Sequence, residues 1–256
     1  MQDLKVGILQ FDQVWQDKAS NYARILALLE NQRNLDLILL PEMFHTGFSM
    51  EVSLADDWSN SEGLQFLKSL SRQLNAACYT SLMVSDGSFY YNRGVFVEPN
   101  GQIHIYNKRK AFGLGQEDVY FTTGSQETIV NYRNWRFNLQ ICYDLRFPEL
   151  VRNRVVHTGK AHYDVLLNVA NWPQARIQHW DTLLCARAIE NQCYVVSCNR
   201  LGTDGNGLVY NGHSQAYDCF GSQLLSPPEQ EGCFVVTLAH QSLQDGRNRL
   251  PFLKDA

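Results

Sequence analysis

Two predicted elements of secondary structure meet at one cysteine in the stretch Gln140-Ile141-Cys142-Tyr143-Asp144-Leu145-Arg146-Phe147-Pro148-Glu149. The residues before Cys142 alternate as in a strand, and Pro148-Glu149 is typical of a helix start, with an acid at the positive end of the dipole. A cysteine at such a bend lies at a sheet edge near free backbone N–H groups, which suits a nucleophile and stabilises negative charge. Simple burial in the core is an equally good interpretation of Cys142 taken alone.

The composition indicates one large globular domain. The chain has 256 residues, of which 45% are hydrophobic and 19% charged, and this is enough to bury a sizeable core. We therefore predict a single domain over residues 1–256. The net charge is −4 and no basic block is present, so the sequence gives no electrostatic footprint for nucleic acid.

The first residues, the lengths of the apolar runs and the cysteines of the chain predict where the protein is located and whether its thiols are reduced. The first residues lack the features of a signal peptide, and no apolar run approaches membrane-spanning length. We therefore expect a cytoplasmic protein without a membrane partner. The seven cysteines are an odd number, with neither a disulfide framework nor zinc-ligand spacing, so we expect a reduced protein without a metal.

Apolar runs with strand character alternate with helical periodicity along the chain. The predicted strands are 4–10, 37–40, 79–84, 93–98, 102–106, 129–132, 136–141, 165–169 and 194–199, with shorter ones near 214–218, 223–225 and 233–238. The predicted helices are 22–29, with Leu26 on the apolar face, 64–74 after an N-cap at Ser61, and 177–191, with Asn171 as N-cap. Strands and helices alternate at both ends, with hairpins between them. This order predicts an α/β sandwich with mixed sheets inside and helices outside.

A carboxylate and a lysine follow predicted strands and are candidates for catalysis. Glu42 comes directly after the buried strand 37–40 and Pro41, where a partly desolvated carboxylate suits general-base catalysis. Lys108 follows the hairpin, and a lysine near a reacting carbonyl can hold an oxyanion and lower the pKa of a thiol. Glu117 lies in a glycine-bearing loop and could fix the lysine. An ordinary loop acid and a solvated basic turn are the structural alternatives.

The segment 170–176 follows another buried strand and supplies candidates for substrate binding. Trp172 and Arg176 should face the rim where strand ends gather, and Tyr143 lies directly beside the cysteine. Arg176 could bind a substrate carboxylate through a bidentate pair, or it could pair with a nearby acid. We expect Asp144 and Arg146 to pair with each other and shape the turn after Cys142. The histidines that could serve a Cys-His mechanism are His45, His157, His162 and His179.

Three of these segments together resemble the motifs of the nitrilase superfamily, the carbon–nitrogen hydrolases. They are Pro41-Glu42-Met43-Phe44, Tyr106-Asn107-Lys108 and Cys142-Tyr143-Asp144-Leu145-Arg146-Phe147-Pro148. The resemblance extends over nearly the whole chain, from residues 6–10 to residues 249–252. The runs 170–172 and 187–192 resemble the ω-amidase branch, which deamidates ω-amides of dicarboxylic 2-oxo acids such as 2-oxoglutaramate.

The resemblance implies a fold and a set of roles. The fold is a four-layer α-β-β-α sandwich with two mixed sheets, commonly assembled as a homodimer. Cys142 is the nucleophile, Glu42 the general base and Lys108 the oxyanion stabiliser, and Glu117 matches an auxiliary glutamate. The chain departs from many relatives at Lys110-Ala111-Phe112, where a histidine and a leucine often precede the phenylalanine. This departure leaves the catalytic residues intact and concerns the pocket.

The implied activity is hydrolysis of small carboxylate-bearing ω-amides to the acid and ammonia. The reaction would pass through a cysteine thioester and need no metal or organic cofactor. Other substrates remain open: a nitrile, an N-carbamoyl amine or another linear amide. A non-catalytic interaction protein on the same fold is a third hypothesis, and the presence of all three reactive residue types speaks against it.

Overall fold

Fifteen strands and five α-helices lie within the computed structural model, which describes residues 2–157 and 159–255. The strands are β1 (Leu4–Gln10), β2 (Leu37–Leu39), β3 (Asp56–Asp57), β4 (Ala77–Asp86), β5 (Phe89–Val97), β6 (Ile103–Asn107), β7 (Ile129–Tyr132), β8 (Trp135–Ile141), β9 (Val165–Val169), β10 (Tyr194–Cys198), β11 (Leu201–Thr203), β12 (Val209–Asn211), β13 (Ala216–Tyr217), β14 (Gln223–Leu225) and β15 (Gly232–Leu238). The helices are α1 (Lys18–Leu29), α2 (Glu62–Leu74), α3 (Glu117–Tyr120), α4 (Ile177–Asn191) and α5 (His240–Arg249).

The strands form two mixed sheets and one small ribbon. The first sheet has the order β15-β1-β2-β4-β5-β6, with β3 paired to β4. The second has the order β14-β13-β10-β9-β8-β7, and β11 pairs with β12 in the ribbon. The strands β1, β2 and β4 run parallel, as do β8, β9 and β10, while the outer strands of both sheets pair antiparallel.

Three hydrophobic clusters define four layers. The central cluster joins the facing sides of both sheets, with Leu39 and Phe96 from the first sheet and Leu139 from the second. The outer side of the first sheet packs on α1 and α2, and the outer side of the second packs on α4 through Trp180 and Leu184. The predicted α-β-β-α sandwich with two mixed sheets is therefore confirmed. Burial of apolar surface on both sides of each sheet supplies the main driving force for this arrangement.

The helices follow the predicted periodicity with one correction. Ser61 caps α2, because its hydroxyl accepts the Leu64 backbone N–H at 3.0 Å, as predicted. The helix α4 has the predicted bounds. Leu26 was placed on the apolar face of α1, but it is 45% exposed, whereas Ile25 is fully buried. The period of 3.6 residues turns Leu26 away from the sheet once Ile25 faces it.

Three other local predictions were wrong. Pro148 begins a single 3-10 turn (Pro148–Leu150) rather than an α-helix, with the proline in the first turn as expected. Asn171 does not cap α4, which begins at Ile177 after a 3-10 turn, Gln174–Arg176. The strand-rich reading of the last third missed α5, whose sequence has few apolar residues to mark a face.

The topology brings several loops to one edge of the sandwich. Because β6 is antiparallel to β5 and β5 to β4, β6 runs in the direction of β2 and β4. Glu42 and Lys108 therefore follow strands that end at the same edge of the first sheet. Cys142 and Asn171 follow the parallel strands β8 and β9 of the second sheet in the same way. Such edges, outside the carboxyl ends of parallel strands, are where α/β proteins place their sites.

Candidate active site

Cys142 occupies a strained bend directly after β8. It is the first residue of a 3-10 turn, Cys142–Arg146, and its φ is +43°, in the left-handed region that side chains other than glycine rarely adopt. Strain of this kind persists only where the surroundings over-determine it, and it concentrates at functional sites. The bend lifts the thiol above the end of the strand, and the first N–H groups of the turn lack partners within it.

Asp144 holds this bend in place. Its buried carboxylate accepts hydrogen bonds from the backbone N–H of Ile141 at 3.1 Å, the backbone N–H of Lys110 at 2.9 Å and the hydroxyl of Tyr106 at 2.8 Å. Burial raises the pKa of Asp144 to about 6, although these donors oppose the rise. The predicted pair between Asp144 and Arg146 is wrong, because the aspartate is fully engaged by groups that the fold brings from β6 and β8.

Glu42 is fully buried, and hydrogen bonds hold both its carboxylate and its backbone carbonyl. Its carboxylate accepts the backbone N–H of Asn171 at 2.9 Å, the side-chain amide of Asn92 at 2.8 Å and Lys108 Nζ at 2.9 Å. Its backbone carbonyl accepts the side-chain amides of Gln13 at 3.0 Å and Asn171 at 2.6 Å. The Asn171 side chain thus serves Glu42 rather than a helix end, which explains why the predicted cap does not form.

Lys108 lies between two carboxylates. Its Nζ donates to Glu42 at 2.9 Å and to the two oxygens of Glu117 at 2.8 and 3.0 Å. Glu117 was predicted to lie in a loop, but it is the first residue of α3. Its carboxylate also accepts the backbone N–H of Phe112 at 2.7 Å. Asn92 bridges the two glutamates, donating to Glu117 at 2.9 Å. All four side chains are at least 97% buried, with exposures of 3% for Lys108, 2% for Asn92, 1% for Glu117 and 0% for Glu42.

The charges of this cluster set the protonation of Lys108 and Cys142. Burial lowers the pKa of Lys108, but the charges of Glu117 and Glu42 outweigh the effect of burial. The lysine pKa therefore lies above its usual value. Desolvation raises the pKa of the Cys142 thiol, the negative charge of Glu42 raises it again, and Lys108 opposes both. The lysine therefore lowers the thiol pKa, as predicted, yet the net shift is upward. The resting cysteine is a protonated thiol.

Asn171 lies between Cys142 and Glu42 and contacts both. The Cys142 sulfur lies 3.9 Å from the Asn171 backbone carbonyl, and the Asn171 N–H binds the Glu42 carboxylate. The sulfur and the carboxylate thus contact the same residue. These contacts bring Cys142, Glu42, Lys108 and Glu117 together from four separate segments of the chain, as spatial convergence at one edge of the sheets predicts.

A cavity of about 690 Å³ opens above the cysteine. Cys142 and Lys108 lie on its wall, together with the predicted binding residues Tyr143, Trp172 and Arg176, while Glu42 and Glu117 lie behind it. No histidine lines this cavity among residues 2–157 and 159–255. His45 is fully buried elsewhere, and its burial lowers its pKa to about 4.

Arg146 also lines the cavity, and the sequence-based interpretation missed its position. Its guanidinium lies 4.6 Å from the centre of the Trp172 ring, and that of Arg176 lies 5.3 Å from the centre of Phe112. Neither guanidinium forms an ion pair with a carboxylate in the part of the chain that the structure describes. Asn92, Asn171 and Tyr106 were missed as well. Their roles are hydrogen bonds to distant segments, which leave no local signal.

Within the described ranges, no group of three or more histidine, cysteine, aspartate or glutamate side chains is arranged to hold a metal ion. Over the same residues, none of the helices has the length and apolar character needed to cross a membrane.

The sandwich and the cluster at its edge define a class of protein, the carbon–nitrogen hydrolases. The family model "Carbon-nitrogen hydrolase" matches residues 5–248, and the chain belongs to this family. The resemblance stated from the three motifs is thereby confirmed, and the protein is an enzyme that hydrolyses carbon–nitrogen bonds.

Named relatives cover the whole chain. The "Omega-amidase YafV" of Yersinia enterocolitica is 39% identical over 100% of this chain and 97% of its own length. The "2-oxoglutaramate amidase" of Bacillus subtilis is 31% identical over 98% of this chain and 96% of its own. The crystal structure of XC1258 from Xanthomonas campestris, a CN-hydrolase superfamily protein with an arsenic adduct in the active site, has a TM-score of 0.97 at 37% identity, covering 100% of this chain and 98% of that one.

The effect of Glu42 on the thiol can be measured directly. Because the charge of Glu42 raises the pKa of Cys142, Glu42→Gln should lower the pH at which iodoacetamide alkylates this cysteine at half its maximal rate. Mass spectrometry of the Cys142 peptide separates it from the six other cysteines. Glu51→Gln, an exposed acid on the cavity wall, is the control and should leave the midpoint unchanged. A midpoint that stays or rises in Glu42→Gln contradicts this account.

Proposed function

We propose that this carbon–nitrogen hydrolase is an ω-amidase, which hydrolyses the ω-amide of a dicarboxylic 2-oxo acid such as 2-oxoglutaramate to the acid and ammonia. One observation carries the proposal: a single cavity is lined by a cysteine and a lysine, with a buried acid behind them, and by two arginines that form no ion pair with a carboxylate of the described residues. The first part suits an amide, and the second suits a carboxylate on the same small molecule. The names of the relatives support the same substrate class.

The reaction begins with the transfer of a proton. The thiol of Cys142 is protonated at rest, so Glu42 takes its proton as the sulfur attacks the amide carbonyl carbon. Forming the thiolate only in the presence of substrate keeps the nucleophile from side reactions. Three hydrogen bonds hold the Glu42 carboxylate while it acts.

The carbonyl oxygen gains negative charge as the carbon becomes tetrahedral. We assign its stabilisation to Lys108 and to the backbone N–H of Tyr143 at the start of the 3-10 turn. Glu117 holds Lys108 through both of its oxygens, so the lysine stays in place when it turns a donor toward the substrate. Removing one oxyanion donor from an acyl-transfer site typically costs 10²–10³ in kcat.

Two further steps complete the cycle. Glu42 returns the proton to the departing nitrogen, the C–N bond breaks, and ammonia leaves a thioester on Cys142. Water then gives its proton to Glu42 and attacks the thioester, which releases the carboxylic acid and restores the thiol. The two cavity residues Tyr143 and Trp172 form the wall against which the substrate chain lies.

Loss of the nucleophile tests the mechanism. Cys142→Ala should reduce ammonia release from 2-oxoglutaramate by at least about 1,000-fold, with the melting temperature within a few degrees of the parent. Cys185→Ala is the matched control, since this half-buried cysteine lies outside the cavity and should keep full activity.

Retained turnover in Cys142→Ala would refute the thioester mechanism. A second pair of variants separates it from a Cys-His hydrolase. Our mechanism loses activity in Glu42→Gln and keeps it in His179→Ala, whereas a Cys-His enzyme behaves in the opposite way. His179 is exposed and is the histidine nearest to Arg146.

Arg176 should set the preference for carboxylated substrates. In Arg176→Met, the ratio of kcat/KM for glutaramate over that for neutral pentanamide should fall by about 10- to 100-fold, because a charge-assisted hydrogen bond is worth about 1.5–3 kcal/mol. Arg152→Met, an exposed arginine outside the cavity, should leave the ratio unchanged. The same assay extended to a nitrile and an N-carbamoyl amine decides the alternatives, since a nitrilase acts on nitriles and an N-carbamoyl hydrolase releases carbon dioxide. An unaltered ratio in Arg176→Met removes the arginine from the proposal.

We also propose that residues 1–256 act as one domain in a cytoplasmic homodimer. All seven cysteines are free, which fits a reducing compartment. Ile189 on α4 and Phe220 are 50% and 45% exposed, an apolar surface that a second copy could cover. Light scattering should give a mass of about twice the 29.3 kDa of one chain. Ile189→Lys should shift the mass toward the monomer, and a monomeric parent protein would contradict the dimer.

A further inference from the structure

Arg146 and Arg176 are both cations of the cavity wall, but the fold supplies them in different ways. Arg146 ends the 3-10 turn that Cys142 begins, whereas Arg176 ends the separate turn before α4. A 3-10 turn rises about 2 Å per residue, so the backbones of Cys142 and Arg146 lie roughly 8 Å apart. Arg146 is therefore tied to the nucleophile by the turn itself.

The surroundings of Arg146 fix its plane and leave its charge unmatched. The guanidinium stacks on Trp172 at 4.6 Å, and among residues 2–157 and 159–255 its only side-chain hydrogen bond is to His179 Nδ1 at 3.2 Å. The Trp172 ring is itself held, since its Nε1–H donates to the Arg176 carbonyl at 2.8 Å. Desolvation and the neighbouring charge of Arg176 lower the pKa of Arg146. Two cations that repel each other in one wall are stabilised by a ligand with acceptors for both.

We propose that Arg146 selects 2-oxo acids over 2-amino acids among the carboxylate-bearing ω-amides, with Arg176 on the carboxylate and Arg146 on the C2 oxygen. This rests on the proposed ω-amidase function. Arg146 belongs to the turn of the nucleophile, and C2 lies between the amide and the carboxylate. The assignment therefore follows the order of groups along the substrate.

The selection has an attractive and a repulsive part. A guanidinium has five N–H donors and no acceptor, so it can bind an oxo oxygen at C2 but has nothing to offer an ammonium. The ammonium of glutamine would add a third positive charge beside the two arginines. Glutamine would therefore be repelled, in addition to lacking the hydrogen bond that the oxo group makes. Both parts act on the same substituent. The discrimination is therefore expected to be larger than the loss of one hydrogen bond would suggest.

The test compares three ω-amides that differ only at C2: 2-oxoglutaramate, glutamine and unsubstituted glutaramate. In Arg146→Met, kcat/KM for 2-oxoglutaramate should fall by about 10- to 100-fold, mainly through KM. The value for glutaramate should change less than about threefold, and that for glutamine should stay or rise. The ratio of the oxo to the amino substrate then collapses. Arg152→Met is the control and should keep all three values.

The outcomes separate the two proposals. If the parent enzyme hydrolyses none of the three amides, the ω-amidase function itself is wrong. If the parent hydrolyses them without favouring the oxo substrate, or if Arg146→Met lowers all three values equally, only the role of Arg146 is wrong. Arg146→Gln is a second variant in case Arg146→Met does not fold, and an oxo-to-amino ratio equal to that of the parent there would overturn the inference as well.

Discussion

A lysine buried between two carboxylates is the constraint on which the rest of this site depends. Lys108, Glu42 and Glu117 are withdrawn from water, and a buried charge is tolerated only when its partners satisfy it. Each oxygen of Glu117 binds the lysine, and Asn92 connects the two acids. Removing Lys108 would leave two buried carboxylates without a cation, and removing either acid would leave the lysine with one carboxylate partner. The cluster therefore holds the ends of β2 and β6 and the start of α3 in one arrangement.

The charges around the cavity raise the pKa of the Cys142 thiol and place negative and positive groups on different parts of its surroundings. Burial of the Cys142 thiol raises its pKa, and the charges of Glu42 and Glu117 behind it add to the rise against the opposing charge of Lys108. Arg146 and Arg176 put positive charge on the wall in front of the thiol. A neutral amide group next to the sulfur and an anionic group next to the arginines match this separation. In the proposed function, this polarity would orient the substrate before the reaction begins.

How much could be predicted from the sequence depends on the range of the interaction. Local patterns predicted β1, the Ser61 cap and the bounds of α4, because periodicity and capping act over a few residues. The clustering of Glu42, Lys108 and Cys142 was predicted because each of them lies just after a predicted strand. The hydrogen-bond partners of Asp144 were not predicted, because its donors include Tyr106 and Lys110, which are far away along the chain. The partner of Arg146 was predicted wrongly for the same reason. Proximity in the sequence suggested an ion pair with Asp144, but in the fold both residues contact other groups.

The candidate site is assembled across the boundary between the two sheets, so its geometry depends on how the sheets pack. The first sheet brings Glu42 and Lys108, and the second brings Cys142. Two buried tyrosines of the first sheet cross this boundary: Tyr79 donates to the Gln140 carbonyl at 2.9 Å, and Tyr106 donates to Asp144 at 2.8 Å. Burial and nearby carboxylates raise the pKa of both phenols, so they remain protonated donors across the working range of the enzyme. Because these bonds end on Gln140 and Asp144, two residues on either side of Cys142, the packing of the sheets also sets the position of the sulfur relative to the Glu42 carboxylate.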